Sequence, residues 1–327
     1  MRLIRFLAND GEPRIGLLDG EAGAGHMARG DRTTLAAAPT LGSLLAQPLS
    51  RVREICAAPG GQTVRDADAE LLAPIDGRTE VWAAGVTYER SRTARMAESE
   101  NSADIYDRVY DAARPELFFK SAAWRVSGPG VPVSVRADSD IDVPEPELAV
   151  VLNYAGDVVG YTICNDMSSR SIEGENPLYL PQAKIYLGGC ALGPWIRPAW
   201  EIPDPYALGI ELVISRGGAV AWQGSSSTAS LRRRIDELAA YLFREDSFPE
   251  GAVLSTGTSL VPELPFTLRA GDEIRIRIEG IGELVNPVVR GKAAVWAARS
   301  QSVRSQSARS QSVRSQPAST HSEEHIS

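Results

Sequence analysis

Seven short apolar runs, each closed by a turn, constrain the fold of this chain more than any other feature. They are Val81-Trp-Ala-Ala, Val131-Pro-Val-Ser-Val, Glu147-Leu-Ala-Val-Val-Leu, Val158-Val-Gly-Tyr-Thr-Ile, Leu208-Gly-Ile-Glu-Leu-Val-Ile, Ala219-Val-Ala-Trp and Asp272-Glu-Ile-Arg-Ile-Arg-Ile. Runs of four to eight β-branched and aromatic residues between Gly, Pro, Asn or Asp read as strands. A chain built this way is β-rich. Helical periodicity is clearest from 227 to 243, where Leu231, Ile235, Leu238 and Leu242 form one apolar stripe. Ser or Thr is expected to cap its start, and core packing is its expected task.

The 327 residues, 43% hydrophobic, suffice for one large domain or two unequal ones. Residues 1–75 read as a small α+β unit: Leu3-Ile-Arg-Phe and Arg14-Ile-Gly-Leu-Leu flank the turn-rich Asn9-Asp-Gly-Glu-Pro13, and a helical stretch follows near Leu41. Ala73-Pro-Ile-Asp-Gly-Arg marks the junction to a larger domain over 76–298. The polar stretch 89–115 carries Met96, Ile105, Tyr106, Val109 and Tyr110 at roughly helical spacing and reads as a mobile helical cover. From about 299 an Arg-Ser-Gln repeat starting at Arg299, Arg304, Arg309 and Arg314 has nothing to bury, so disorder without a function is expected there.

A formal charge of -8 argues against nucleic acid as a partner. No run approaches the roughly 20 apolar residues that span a bilayer, and charge interrupts the first ten residues too early for an export signal. Cys56, Cys164 and Cys190 have no metal-site spacing and read as reduced thiols, which fits a cytoplasmic protein.

The chemistry concentrates in Asp142-Val-Pro-Glu145-Pro-Glu147-Leu-Ala and in Asn165-Asp166. The only histidines are His26, His321 and His325, far from both in sequence. A carboxylate set without imidazole favours a hard cation, Mg²⁺ with Mn²⁺ or Ca²⁺ as alternatives, over zinc. Pro144 and Pro146 bias the backbone towards extended, and side chains alternate along a strand, so Glu145 and Glu147 share a face. The turn at Asn153-Tyr-Ala-Gly-Asp157 makes the two flanking runs an antiparallel pair, which makes Asp166 the best third ligand. Alone, Glu-x-Glu on a strand more often describes a solvated strand face. Lys120 after Leu117-Phe-Phe, and Lys184 within Leu180-Pro-Gln-Ala-Lys-Ile-Tyr, are either snorkelling surface residues or cations that offset the carboxylates and hold an acidic substrate.

These pieces, with Ala84-Gly-Val-Thr-Tyr88, Pro115-Glu-Leu-Phe-Phe-Lys120, Ser127-Gly-Pro-Gly, Gly160-Tyr-Thr-Ile-Cys-Asn-Asp-Met-Ser-Ser-Arg170, Ala191-Leu-Gly-Pro194 and Leu254-Ser-Thr-Gly-Thr258, resemble the fumarylacetoacetate hydrolase superfamily from about Val81 to Arg290. The resemblance implies an α+β, β-rich catalytic fold behind a small N-terminal α+β domain, a homo-oligomer (dimer or tetramer), and a divalent metal on Glu145, Glu147 and Asp166. It matches the family's conserved lysine to Lys184 and its Gly-Thr loop to Gly257-Thr258. Hydrolytic members carry a His three residues beyond the motif Tyr; here Ser91 stands at that place, followed by Arg92. Water activation for C–C hydrolysis therefore lacks its usual base.

The runs 170–184 and 106–120 resemble the 2-keto-3-deoxy-D-arabinonate dehydratase branch, which implies loss of water from a 2-keto-3-deoxy pentonate to give 2-oxoglutarate semialdehyde (2,5-dioxopentanoate) in pentose catabolism. On that reading Lys184 is the base or the enolate stabiliser and Glu116 a proton-transfer group; Lys120, Ser91, Arg92 and Thr258 contact the sugar acid; and Arg170 and Glu173 either back the residues of the site or hold the loop. The alternatives are a hydrolase or decarboxylase of 2-oxo acids, of acylpyruvase or oxaloacetate decarboxylase type, and a non-catalytic metal-binding member of the family.

Overall fold

The computed structural model describes residues 1–8, 10–18, 33–58, 63–64, 70–90 and 108–300. The N-terminal residues supply β1 (Arg2–Leu7), β2 (Pro13–Leu18), β3 (Thr33–Leu35), β4 (Thr63–Val64) and β5 (Glu70–Leu71). The expected hairpin is present, β1 and β2 pairing antiparallel from Arg2↔Leu18 to Leu7↔Pro13. The expected helix is Leu41–Leu45, followed by a second at Leu49–Ala57.

Next come β6 (Glu80–Gly85), β7 (Glu116–Ala122), β8 (Val133–Val135), β9 (Asp142–Val143), β10 (Pro146–Leu152), β11 (Val158–Asp166), β12 (Ser168–Ser169) and β13 (Cys190–Pro198). They are followed by β14 (Gly209–Arg216), β15 (Ala219–Ser227), β16 (Ala252–Ser255), β17 (Glu273–Ile278) and β18 (Gly282–Arg290). All seven apolar runs lie on strands.

One large sheet runs β4-β3-β2-β1-β13-β11-β10-β16-β6-β7, with β5 on β1. The N-terminal hairpin joins it where β1 meets β13 at Leu3↔Ile196. A five-stranded sheet, β15-β14-β17-β18-β8, covers one face. β10 shows why this strand has no polar side until its start. Leu148, Val150 and Leu152 pack towards Leu212, Ile274 and Ile276 of the second sheet, while Ala149 and Val151 pack with Leu44, Leu45 and Val52 of the two N-terminal helices. A strand covered on both faces is apolar throughout. The only charged groups it brings inside, Glu145 and Glu147, sit at its beginning, where they need partners.

The expected helix over 227–243 is shorter than its apolar stripe. Ser225, Ser226 and Ser227 belong to β15 and pair with Glu211, Ile210 and Gly209; Thr228–Ser230 is a single tight turn; the α-helix is Ile235–Leu242. The hydroxyls explain this. Ser227 Oγ donates to Leu208 O and accepts from Ala229 N, so it caps the Thr228–Ser230 turn, while Ser226 Oγ bonds Ser259 Oγ; neither caps the α-helix. The cap comes from outside the run: Ile235 N donates to Tyr206 Oη at 2.9 Å. Leu231, Ile235, Leu238 and Leu242 are nonetheless all buried, as expected of core.

Of the 89–115 stretch, residues 108–111 are helical, and the carbonyls of Val109 and Tyr110 accept from Arg233 and Arg232. Met96, Ile105 and Tyr106 lie outside the described residues. Residues 291–300 are helical. Arg299, expected to open the tail, instead donates to Trp124 O at 3.0 Å and Arg125 O at 2.8 Å; residues 301–327 lie outside the description. No helix among the described residues is long and apolar enough to cross a membrane.

Candidate active site and metal centre

Glu145 and Asp166 exchange main-chain hydrogen bonds, Glu145 N to Asp166 O at 3.2 Å and Asp166 N to Glu145 O at 3.0 Å. Residues paired in this way across antiparallel strands point to the same face. Alternation carries Glu147 to that face as well. Glu145, Glu147 and Asp166 each offer a carboxylate oxygen within 4.8 Å of the others, and all three are buried. This donor set is oxygen only and fits a hard dication such as Mg²⁺.

Each carboxylate is held from behind. Glu147 Oε2 accepts from Ser255 Oγ at 2.5 Å and from Gly257 N at 2.8 Å. Gly257 has φ of +89°, and a Cβ there would lie 2.0 Å from Thr87 Oγ1, so the close approach of this loop requires glycine. Glu145 Oε1 accepts from Arg170 Nη2 at 2.8 Å, and Arg170 Nη1 faces Glu173 at 3.6 Å. Lys184 ends the helix Leu180–Lys184, and its ammonium donates to Glu145 Oε2 at 2.7 Å, Asp166 Oδ2 at 3.1 Å and Ser168 Oγ at 2.5 Å. Burial, then the neighbouring Asp166 and Glu145 charges, push the Glu147 carboxyl well above the ordinary range. Counted as ionised, four buried carboxylates including Glu173 face Lys120, Lys184 and Arg170, which leaves one negative charge. A dication would make the site positive by one.

β7 forms the adjoining wall. Glu116 stands opposite Gly85, and its carboxylate rests on that glycine so closely that a Cβ would lie 2.1 Å from Oε2. Beside it, Val86 has φ of +51°, a costly conformation for a β-branched residue. Two residues further along β7, the Phe118 ring lies 5.8 Å from Lys184 Nζ.

Two residues expected to contact substrate have other partners. The Lys120 ammonium is buried against Asp166 Oδ1, Met167 O and Lys184 O. Thr258 Oγ1 donates to Pro146 O at 2.9 Å, with Leu260 O 3.2 Å away, so its proton holds the loop to the start of β10. Ser91 and Arg92 lie outside the described residues. Sequence reasoning missed Ser168, Ser255 and Gly85. All three sit inside the quoted motifs without a role of their own, and only strand pairing places the two hydroxyls on Lys184 and Glu147.

Residues 80–289 match the model of the fumarylacetoacetate hydrolase C-terminal domain, and the chain belongs to that family. Among its relatives, a probable 2-keto-3-deoxyxylonate dehydratase of Haloferax volcanii is 51% identical over 221 residues, 68% of this chain and 75% of the relative. A 2-dehydro-3-deoxy-D-arabinonate dehydratase of Saccharolobus solfataricus is 48% identical over 226 residues, again 68% and 75%. Among solved structures, 2-keto-3-deoxy-D-arabinonate dehydratase complexed with magnesium and 2,5-dioxopentanoate superposes with a TM-score of 0.76 at 36% identity, over 89% of this chain and 100% of that one.

Proposed function

We propose that this chain is a Mg²⁺-dependent dehydratase that converts a 2-keto-3-deoxy pentonate, such as 2-keto-3-deoxy-D-arabinonate, to 2,5-dioxopentanoate and water. The observation that carries the reading is the buried triad of Glu145, Glu147 and Asp166 with Lys184 across two of its members, in a chain about half identical to two dehydratases of such acids.

Glu145, Glu147 and Asp166 are the residues that would hold Mg²⁺, which when bound supplies Lewis acidity towards the 2-oxo acid end of the substrate. The reaction removes a C3 proton and the C4 hydroxyl, then moves a proton from C5 to C3, and the resulting enol becomes the C5 aldehyde. We assign Lys184, acting as the neutral amine, to accept the C3 proton. Its ammonium is anchored by two carboxylates and Ser168, which fix the direction of its nitrogen. We assign Glu116, on the same strand as Phe118, to donate to the departing C4 hydroxyl, which leaves as water. It then accepts the C5 proton. The Phe118 ring beside Lys184 keeps one side of the site apolar, which favours proton transfer between protein and substrate over exchange with solvent.

The absence of an imidazole between residues 27 and 320 supports elimination over hydrolysis, because no such base is available there to activate water. The compartment we assign is the cytoplasm, in keeping with three buried, unbridged cysteines. The assembly we assign is a homo-oligomer, which light scattering tests.

The deciding assay offers 2-keto-3-deoxy-D-arabinonate, and separately the xylose-derived isomer, with Mg²⁺, and follows the semialdehyde by coupled oxidation. Turnover of at least one is expected. No turnover of either, with cleavage of an acylpyruvate instead, would overturn the dehydratase reading.

A further inference from the structure

Lys120 occupies an irregular place in its strand. β7 pairs β6 residue by residue from Glu116↔Gly85 to Phe119↔Trp82, and pairing resumes at Ser121↔Val81. Lys120 is therefore the extra residue of a β-bulge, without a partner on β6. A bulge takes one residue out of the ladder and re-aims its side chain. Here the side chain turns fully inward, with Lys120 only 1% exposed.

The ammonium meets three acceptors. It donates to Lys184 O at 2.6 Å and to Met167 O at 2.9 Å, and it forms an ion pair with Asp166 Oδ1. Two of its three N–H donors go to these carbonyls, and its charge faces Asp166 Oδ1. The remaining near group is the Tyr186 ring, 6.0 Å away.

The identity of the three acceptors gives the arrangement its meaning. Asp166 is a member of the carboxylate triad, Met167 is the next residue along the chain, and Lys184 carries the ammonium that takes the other oxygen of Asp166. Asp166 is thus held between two lysines, one oxygen to each, and one of those lysines is also fastened to the main chain of the other. We propose that Lys120 is a positioning residue: it sets the orientation of Asp166 and the placement of Lys184 together, and it does not touch the substrate. The inference rests on the metal-dependent dehydratase reading and adds to it a residue that couples metal binding to proton transfer.

The test compares wild type with Lys120→Met and Lys120→Arg by Mg²⁺ titration calorimetry and by steady-state kinetics on 2-keto-3-deoxy-D-arabinonate at saturating Mg²⁺. Losing a partner behind a metal ligand weakens metal affinity about 10- to 100-fold, and that loss is expected for Lys120→Met. Its kcat should fall about tenfold or more, a modest proton-transfer loss, while KM at saturating metal stays near the wild-type value. Lys120→Arg keeps the charge, but a planar fork cannot serve three acceptors around one point, so a smaller loss of both is expected. Unchanged Mg²⁺ affinity and kcat in both variants overturn the inference. So does a raised KM with Mg²⁺ affinity and kcat unchanged, which would make Lys120 a substrate contact. If Lys120→Met does not fold, Lys120→Arg decides alone by the same two outcomes. A wild-type protein that binds no Mg²⁺ overturns the metal reading itself, and this inference with it.

Discussion

The Lys184 ammonium lies 2.7 Å from Glu145 Oε2 and 3.1 Å from Asp166 Oδ2, bridging two carboxylates of the triad that would hold Mg²⁺. A lysine in this position both offsets the repulsion between the acids and places its nitrogen at the edge of the metal site. The group that moves a proton is thus fixed by the groups that polarise the substrate.

Removing one ligand tests the centre directly. Glu147→Gln keeps the shape of the side chain but removes a charge from the triad, so Mg²⁺ affinity is expected to fall by roughly two orders of magnitude, at least the upper end of the effect of losing an outer partner. Calorimetry and the Mg²⁺-dependent rise in melting temperature measure it. An unaltered titration would remove Glu147 from the site.

The raised Glu147 pKa makes metal binding pH-dependent. Metal-free, Glu147 holds its proton above the ordinary carboxylate range, and Mg²⁺ must displace it. Mg²⁺ affinity should therefore rise with pH until Glu147 ionises on its own, and proton release should appear as a dependence of the calorimetric heat on buffer ionisation enthalpy. For the metal-free fold the sign is opposite. A pKa raised by folding gives stability that is complete below the unfolded pKa and is lost as pH rises through the folded one.

Gly85 should be required for the proton-transfer wall. Gly85→Ala puts a Cβ where the Glu116 carboxylate now rests. Glu116→Gln should lower kcat about 10²- to 10⁴-fold, the range for loss of a general acid or base. Gly85→Ala should lower kcat in the same direction with Mg²⁺ affinity retained. Steady-state kinetics paired with calorimetry separate this outcome from misfolding, and a wild-type kcat in Gly85→Ala would mean that the seat is not used.

Asp142 supplies a pH test away from the triad. It is 1% exposed, and burial pushes its carboxyl up to about 6 from an ordinary 3.8. Its contribution should be complete below pH 3.8 and should decline as pH rises towards 6, by about 3 kcal/mol at 1.36 kcal/mol per unit. Denaturant unfolding from pH 4 to 7 measures the slope, and Asp142→Asn should flatten it. A slope unchanged by the substitution would assign the dependence to other groups.

Much of the site was legible because it is written in local periodicity. Glu145 and Glu147 share a face because strand side chains alternate, and Asp166 reaches them because a short turn at 153–157 folds one strand back on the next. Prolines at 144 and 146 made the first of these strands readable. What alternation could not show was partners across the sheet. Ser227 was expected to open a helix, yet pairing with Gly209 holds it at the end of a strand. Thr258 looked like a ligand for substrate, but the carbonyl of Pro146, more than a hundred residues away, takes its proton.

The sequence by itself determined a β-rich chain, the three carboxylates and the absence of histidine near them, since residue type and period-two spacing carry that information. Only the tertiary structure decided which cation faces which carboxylate. Lys120 and Lys184 each sit in a motif of the resemblance, but no local pattern shows that one of them grips Asp166 and the main chain of the other. Pairing of β6 with β7 across a 30-residue separation creates the bulge at 120, and the bulge turns one lysine inward to grip Asp166 and the main chain of the other. Register between distant strands is a property of the whole sheet, because it is set by the faces that all the strands must bury together.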